Sequence, residues 1–557
     1  MNTTTYFDAD GSSLAERYRL GDSEVADLFG GHPSRESAWT DRAARLDATA
    51  GRRADRRRVA AALRKYQSRL PWREEAAASL DKLEQDRCLV VVGGQQAGLF
   101  GGALLVYYKA LTVIQAARDA ERQLGRPVVP VFWIAGEDHD FDEANHVNVQ
   151  AGEGGVRRIR IERPDGPRLA VSRTPLSAER WTAALQELAG QLPDTEFKPA
   201  LLAKLQGYVE DAPSLSLAFA RLLADWFGGR GLVLLDADDP ELRALEGPMF
   251  RELIAANDEL ETALKAGESD VLAKGFKLQA ETTAGSANLF LHHEQGRLLL
   301  HKENGRFVDR RGHVSYTREQ MLALTAERPD LLSTNALTRP LMQDYALPVL
   351  AAVLGPSELA YWGILGPAFR EFGFAMPLLL PRQSFTYVEP AVAALLEKYA
   401  LPADQAMDDW EARRAEWLGR QDEWNLEKTF HEVKEQFKTL YAPVLDTVAS
   451  LQPGLAKLAA GNRDRILEQI AYLESRSADA FAKRHESSLR QWDRIRQSLS
   501  PLGKPQERVY GAIHFWNRFG PDWLSMWFDL PYESGGGHRI VEGLPVACSH
   551  SHGGIGS

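Results

Sequence analysis

Cysteine is nearly absent from this chain: Cys88 and Cys548 are the two it has in 557 residues. A disulfide scaffold and any four-cysteine zinc module are excluded, and such usage fits a reducing cytoplasm. Long apolar runs are missing as well. The stretch from Ala346 to Leu354 is about half the length a membrane-spanning helix requires. The first residues, MNTTTYFDADGSS, lack the basic cluster and apolar stretch of a secretory signal. The expectation is a soluble cytoplasmic protein with no membrane partner. Nor is there an excess of positive charge, since 66 Lys and Arg face 77 Asp and Glu for a net charge of −11. That balance argues against DNA or RNA as a partner. What the chain does have is 44% hydrophobic and 26% charged residues, the proportions of a folded protein with ample core material. At this length a single core is not expected.

The first 85 residues are polar and helical in character, with an Arg-rich stretch at Arg52, Arg53, Arg56, Arg57 and Arg58 that reads as a solvated helix face. Cys88-Leu-Val-Val-Val then runs into Gly93-Gly94, followed by GQQAGLFGG and a segment to Gly125 in which Leu105, Tyr108, Leu111 and Ile114 recur at helical spacing. Val128 to Ala135 is a second apolar run. Others are Gly231 to Leu235, Leu347 to Leu354 and Met376 to Leu380. Strands apolar on both faces and alternating with helices predict a doubly wound parallel α/β sheet of at least five strands. Two of the gaps between strands far exceed a simple crossover, which predicts insertions at about 147–228 and 240–335 within a core spanning 1–386. The second should hold a small antiparallel sheet with hairpin turns at Gln295-Gly296 and Asn304-Gly305. His292, His293 and His301 fall in those hairpins and read as surface or packing residues.

From 387 to about 500 the pattern becomes long helices. Phe430, Val433, Phe437, Leu440, Val444, Val448 and Leu451 form one seam. Ile466, Ile470, Leu473, Phe481, Leu489, Trp492, Ile495 and Leu499 form another, with a break at Gln452-Pro453-Gly454. This predicts an antiparallel coiled-coil arm suited to dimerisation. The aromatic segment 501–545 should pack back on the core. The glycine-rich tail 546–557 should be mobile, so Cys548, His550 and His552 are weak as a metal site.

Ligands of doubly wound sheets bind beyond the carboxyl ends of the strands, and four polar loops lie near such ends. Gly93 to Gly102 carries Gln95 and Gln96 and precedes a helix amino end that suits a phosphate or carboxylate. It matches neither the dinucleotide fingerprint nor a P-loop, and a plain tight turn remains the alternative. Gly136-Glu-Asp-His-Asp-Phe-Asp-Glu143 places His139 between Asp138 and Asp140, a pattern for a carboxylate-oriented general base. A metal held by His139, Asp142, Glu143 or His146 competes with that reading, as does an acidic helix cap. Ser333 to Asp344 supplies Arg339, and Gly355 to Trp362 supplies Glu358 and Tyr361, three apart on a helix start. Arg382, after the last strand, is a second candidate anion clamp. Cys88 opens a buried strand and reads as core rather than as nucleophile.

Together GQQAGLFGG with Tyr108-Lys109-Ala110, PVFWIAGEDHDFDEANH, TNALTRPLMQDYALPVLAAVLGPSELAYW and MPLLLPRQS resemble the bacillithiol-biosynthesis cysteine-adding enzymes, the BshC family. The resemblance extends over nearly the whole chain. It implies a Rossmann-like core with two connecting-peptide insertions, a coiled-coil domain supporting a homodimer, and the joining of cysteine to the amine of glucosaminyl-malate. Making an amide from a free carboxylate needs activation, so ATP is the natural cosubstrate, although no motif for it is present and the sequence leaves a metal requirement unknown. On this reading His139, held by Asp138 or Asp140, deprotonates the amine. Gln95, Gln96 and Lys109 hold the anion or sugar, Arg339 and Arg382 clamp malate, and Asn335, Gln343, Asp344, Glu358 and Tyr361 line the sugar pocket. Another ATP-dependent ligase on the same core, or a non-catalytic coiled-coil scaffold, stands as the alternative.

Overall fold

The five apolar runs become five parallel strands: β1 (Leu89–Gln95), β2 (Val128–Ile134), β3 (Val233–Asp236), β4 (Val349–Leu354) and β5 (Leu378–Pro381). They belong to a computed structural model that describes residues 2–6, 12–152 and 154–543. The tail expected to be mobile, with Cys548, His550 and His552, lies outside the described residues. The chain divides into two units, Met1–Thr386 with Lys504–Ser557, and Tyr387–Gly503.

In the first unit the sheet order is β5-β4-β1-β2-β3, so the chain starts in the middle, winds outward through β2 and β3, and returns to the other side of β1 with β4 and β5. That is a Rossmann-type order, in which the sheet reverses direction between β1 and β4. Val90, Val91, Val131, Phe132, Val233, Leu234, Ala351 and Val353 are all fully buried, as strands covered on both faces require. Helix α1 (Leu104–Leu124) connects β1 to β2. It approaches β1 so closely that a Cβ on Gly93 would stand 2.5 Å from Val113 Cγ2. Gly125, left-handed at φ 61°, ends it with its N–H bonded to Glu121 O.

Between β2 and β3 the chain inserts an antiparallel strand pair, His146–Gln150 with Val156–Arg160. Three helices follow, of which α2 (Leu215–Phe227) leads into β3. After β3 come α3 (Pro240–Ala255) and a second long helix, then a five-stranded antiparallel sheet. Its Asn304-Gly305 turn falls as expected, with both residues at positive φ. The first hairpin turns one residue earlier than expected, at Glu294-Gln295, because His293 pairs with Gly296. Helix α4 (Arg339–Ala346) then delivers the chain to β4, and α5 (Pro356–Trp362) leaves it. One sheet had no forewarning: Asn2–Tyr6, in the stretch expected to be helical, pairs antiparallel with Gly537–Glu542, which neighbours Gln383–Val388.

The second unit carries two long helices, α6 (Leu426–Leu451) and α7 (Ala456–Arg484), joined by a short turn at Pro453–Leu455. They run antiparallel, since Lys434 pairs with Glu474 while Tyr441, further along α6, reaches back to Asn462. The expected seam on α6 splits. Phe430, Phe437 and Val448 are half-buried, whereas Val433, Leu440, Val444 and Leu451 are exposed. The second seam is not one helix either, because α7 ends at Arg484 and a separate helix, Glu486–Leu499, carries Leu489, Trp492, Ile495 and Leu499 into a buried cluster.

Candidate functional site

The sheet reverses between β1 and β4, the place where such sheets bind ligands, and the first polar cluster gathers at the carboxyl ends of these strands. Lys109, one turn into α1, is 1% exposed. Its Nζ donates to Gly94 O at 2.6 Å, to Gln95 Oε1 at 3.2 Å and to Glu358 Oε2 at 2.5 Å. Glu358 Oε2 also accepts the Gly355 N–H at 2.8 Å, which anchors the start of α5. Burial alone would raise the Glu358 carboxyl, but the Lys109 and Arg339 charges outweigh it and hold it below its ordinary value. Arg339 arrives from α4 and donates to Tyr361 Oη at 2.8 Å, with Glu358 Oε1 3.7 Å away. The buried Nε of Arg339 has no hydrogen-bond partner among the described residues.

The second cluster is built by the loop after β2. Gln96 Nε2 donates to Asp138 Oδ2 at 2.5 Å and joins the two clusters. Asp138 Oδ1 accepts the backbone N–H of His139 at 2.7 Å and of Asp140 at 3.3 Å. Burial would raise the Asp138 carboxyl, yet the Gln96 amide and the Arg297 charge hold it down. His139, half-buried, has Nδ1 3.3 Å from Arg297 Nη1 and 3.6 Å from Asp138 Oδ1. Burial and the Arg297 charge push the imidazole below its ordinary value.

The other expected site residues do not all converge. Asp140 caps the short helix Phe141–Ala144 through the Glu143 N–H. His146 lies on a strand with Nδ1 at Asp142 O, and no group of three or more His, Cys, Asp or Glu among the described residues is placed to hold a metal ion. Asn335 is a turn former, its Oδ1 accepting from the Leu337 and Thr338 amides and its Nδ2 donating to Asn288. Gln343, a turn after Arg339 on α4, is buried. Asp344 lies at the opposite end of the sheet, paired with Arg42 at 2.5 Å and Arg53 at 2.8 Å, where Arg42 also donates to Val349 O at the start of β4. It cannot line a pocket at the carboxyl ends. Arg382 is not a free clamp, because both its terminal nitrogens bond Glu507, at 2.8 and 2.6 Å. The amino end of α1 is not an open anion seat either: Leu104 N donates to Tyr510 O at 2.8 Å, and Leu99 and Phe100 are buried. Cys88 is buried and its thiol is pushed up to about 12 by desolvation, which leaves it inert.

Several participants carried no expectation. Arg297, from the hairpin Ser286–His293 with Gly296–Glu303, reaches into the β2 loop from more than 150 positions away. Glu137, between the expected residues, turns inward to a buried network with Arg243, Glu246 and Thr334. The acid Asp236 ends β3 and Asp238 follows it. Asp238 binds Arg173 through both oxygens, at 2.7 and 2.8 Å. Asp236 is fully buried, accepts from Asp238 N at 2.9 Å and is raised to about 7 by that burial. This loop had the same signal as Gly136 to Glu143, acids directly after an apolar strand. Arg297 had none that is local in sequence.

A Rossmann-ordered sheet with its polar groups gathered at the switch point, elaborated by two insertions and carrying a helical second unit, defines a Rossmann-like α/β protein with a coiled-coil domain. Two family models share the first boundary of this division, although the second includes the residues after 503 that pack with the first unit. Residues 1–383 match the N-terminal Rossmann-like domain of bacillithiol biosynthesis BshC, and residues 385–543 match its C-terminal coiled-coil domain. The chain is 37% identical over 540 residues to a protein of Symbiobacterium thermophilum, covering 94% of this chain and 96% of that one. A relative from Bacillus licheniformis is 32% identical, with 94% and 97% covered, and one from Bacillus cytotoxicus is 33% identical, with 86% and 89% covered. All three bear the name "Putative cysteine ligase BshC". The chain belongs to the bacillithiol biosynthesis BshC family.

Proposed function

We propose that this protein is a cysteine ligase of bacillithiol biosynthesis that joins the carboxyl group of cysteine to the amine of glucosaminyl-malate. The observation that carries the reading is the Lys109, Glu358, Arg339 and Tyr361 cluster at the switch point, linked through Gln95 and Gln96 to the His139 loop. Arg339, bonded to the neutral Tyr361 hydroxyl and 3.7 Å from Glu358, supplies positive charge for a carboxylated substrate. Donors and carboxylates lie side by side in this cluster, as general acid–base catalysis of amide formation uses them. Malate is held by Arg339, not by Lys109 or Arg382, whose charges Glu358 and Glu507 already take. ATP activates the cysteine carboxylate. The sulfur in this reaction belongs to the substrate, in keeping with the inert Cys88.

Incubating the purified chain with cysteine, glucosaminyl-malate and ATP, with the thiol product followed by mass and the nucleotide product by chromatography, is expected to yield bacillithiol together with cleaved ATP. ATP turnover that requires a different amine would replace this reading with another ligase. The reading extends to a homodimer formed through the second unit, supported by the exposed apolar positions of α6.

A further inference from the structure

The two ring nitrogens of His139 have different environments. Nδ1 lies 3.3 Å from Arg297 Nη1. A guanidinium carries only N–H donors and remains charged at any pH a protein tolerates. In this pair the imidazole nitrogen is therefore the acceptor, with its lone pair toward Arg297. A neutral imidazole that accepts at Nδ1 carries its proton on Nε2, and Nε2 makes no hydrogen bond among the described residues. A carboxylate seated at Nδ1 would impose the opposite tautomer. Asp138 is too far for that, at 3.6 Å, and its Oδ1 already serves two backbone amides.

Arg297 is held from several sides. Its Nε donates to Ser333 Oγ at 3.0 Å and its Nη2 to Thr334 O at 2.5 Å. The guanidinium lies 3.8 Å from the centre of the Phe290 ring, and the backbone N–H donates to Arg168 O at 2.9 Å. The charged groups facing His139 are Arg297, Asp138, Asp140 and Arg168; with burial as the largest influence, they leave the ring neutral near pH 7.

We propose that Arg297 is a positioning residue that locks His139 in the Nε2–H tautomer, so that His139 donates a hydrogen bond to the acyl oxygen of activated cysteine and does not take a proton from the amine. The proposal rests on the ligase reading above. In the step, the sugar amine nitrogen forms the C–N bond to the acyl carbon. The phosphate or nucleotide installed by a nucleoside triphosphate leaves with the electrons of the broken C–O bond. The amine proton is released to solvent. A fixed donor at a developing oxyanion is worth on the order of 10²- to 10³-fold in rate.

Nitrogen-15 NMR of the histidine-labelled protein, with His139 assigned by the loss of its signals in His139→Gln, reads the tautomer without any assay. The expected spectrum at pH 7.5 shows a protonated Nε2 and an unprotonated Nδ1. In Arg297→Met the two forms should mix, and Arg297→Lys should restore the wild-type pattern in part. In the ligase assay His139→Gln, which keeps an N–H donor but cannot accept a proton, should stay within about tenfold of wild type, while His139→Ala falls by roughly 10²-fold or more. A proton on Nδ1 in the wild-type protein, or a glutamine variant as slow as the alanine one, overturns the proposal. If wild type makes no bacillithiol, the ligase reading fails and the spectrum alone decides the tautomer.

Discussion

Asp344 shows how position along one helix separates two residue types. It follows Arg339 by five positions on α4, but Arg339 reaches the carboxyl ends of the strands while Asp344 meets Arg42 and Arg53 beside the start of β4. All three side chains at that pairing are nearly inaccessible. Removing the carboxylate strands two buried guanidinium groups, a change that typically costs about 3–5 kcal/mol. Asp344→Ala is therefore expected to lower the urea midpoint strongly while the folded fraction keeps the substrate KM of wild type. A raised KM at unchanged stability would return Asp344 to the substrate pocket. Asp236 makes a second residue-level test. Its carboxyl titrates near 3.8 when unfolded and at about 7 in the fold, where it contacts Ser216 and lies near Asp238 and Asp239. Between those values the folded chain keeps a proton that the unfolded chain has released. Stability is thus highest below the lower value and declines as pH rises to about 7, by on the order of 4 kcal/mol. Asp236→Asn, which mimics the protonated form, should remove this part of the slope in denaturant titrations between pH 4 and 7.5; an unchanged slope would show that Asp236 is already ionised in the fold.

At the scale of elements, what was legible followed from local pattern. Each of the five core strands announces itself by four or more consecutive apolar residues, and α1 by its helical period, because burial on both faces leaves few polar choices. Asn304-Gly305 fixed one hairpin turn, since few residue pairs accept positive φ twice. The strand Asn2–Tyr6 escaped because its sequence, Asn-Thr-Thr-Thr-Tyr, has no apolar alternation, and its pairing partner lies more than 500 positions away. The candidate site divides along the same line. Lys109, Glu358, Arg339 and Tyr361 could be suspected because each sits at or beside the end of an obvious element. Arg297 could not, since its contact with His139 depends on how an inserted hairpin docks. Gly136 is a case of a glycine required by a neighbour: a Cβ there would lie 2.2 Å from Asp236 Oδ1, so the close approach of the β2 and β3 ends excludes a side chain.

For the whole molecule, the second unit poses a question of partner that its own helices frame. The antiparallel pair satisfies itself through Phe430, Phe437, Val448, Ile466 and Ile470, all half-buried, and through the Lys434–Glu474 ion pair. A further stripe on α6, Val433, Leu440, Val444 and Leu451, advances by seven, four and seven positions, the spacing of a coiled-coil seam, with Leu440 76% and Leu451 81% exposed. Leu458 on α7 extends the apolar surface beyond the turn. A seam of this spacing is matched by another helix of the same spacing, and a second copy offers that helix with a twofold axis that lets each stripe meet its equivalent. The expected outcome is a dimer by light scattering at micromolar concentration, converted to monomer by the double substitution Leu440→Asp and Leu451→Asp. Because those two side chains support nothing inside their own unit, the variant should keep the helical content of wild type by circular dichroism, so that loss of the dimer cannot be attributed to unfolding. A wild-type chain that is monomeric, or a charged stripe that leaves the dimer intact, would mean that this surface is not where two copies meet.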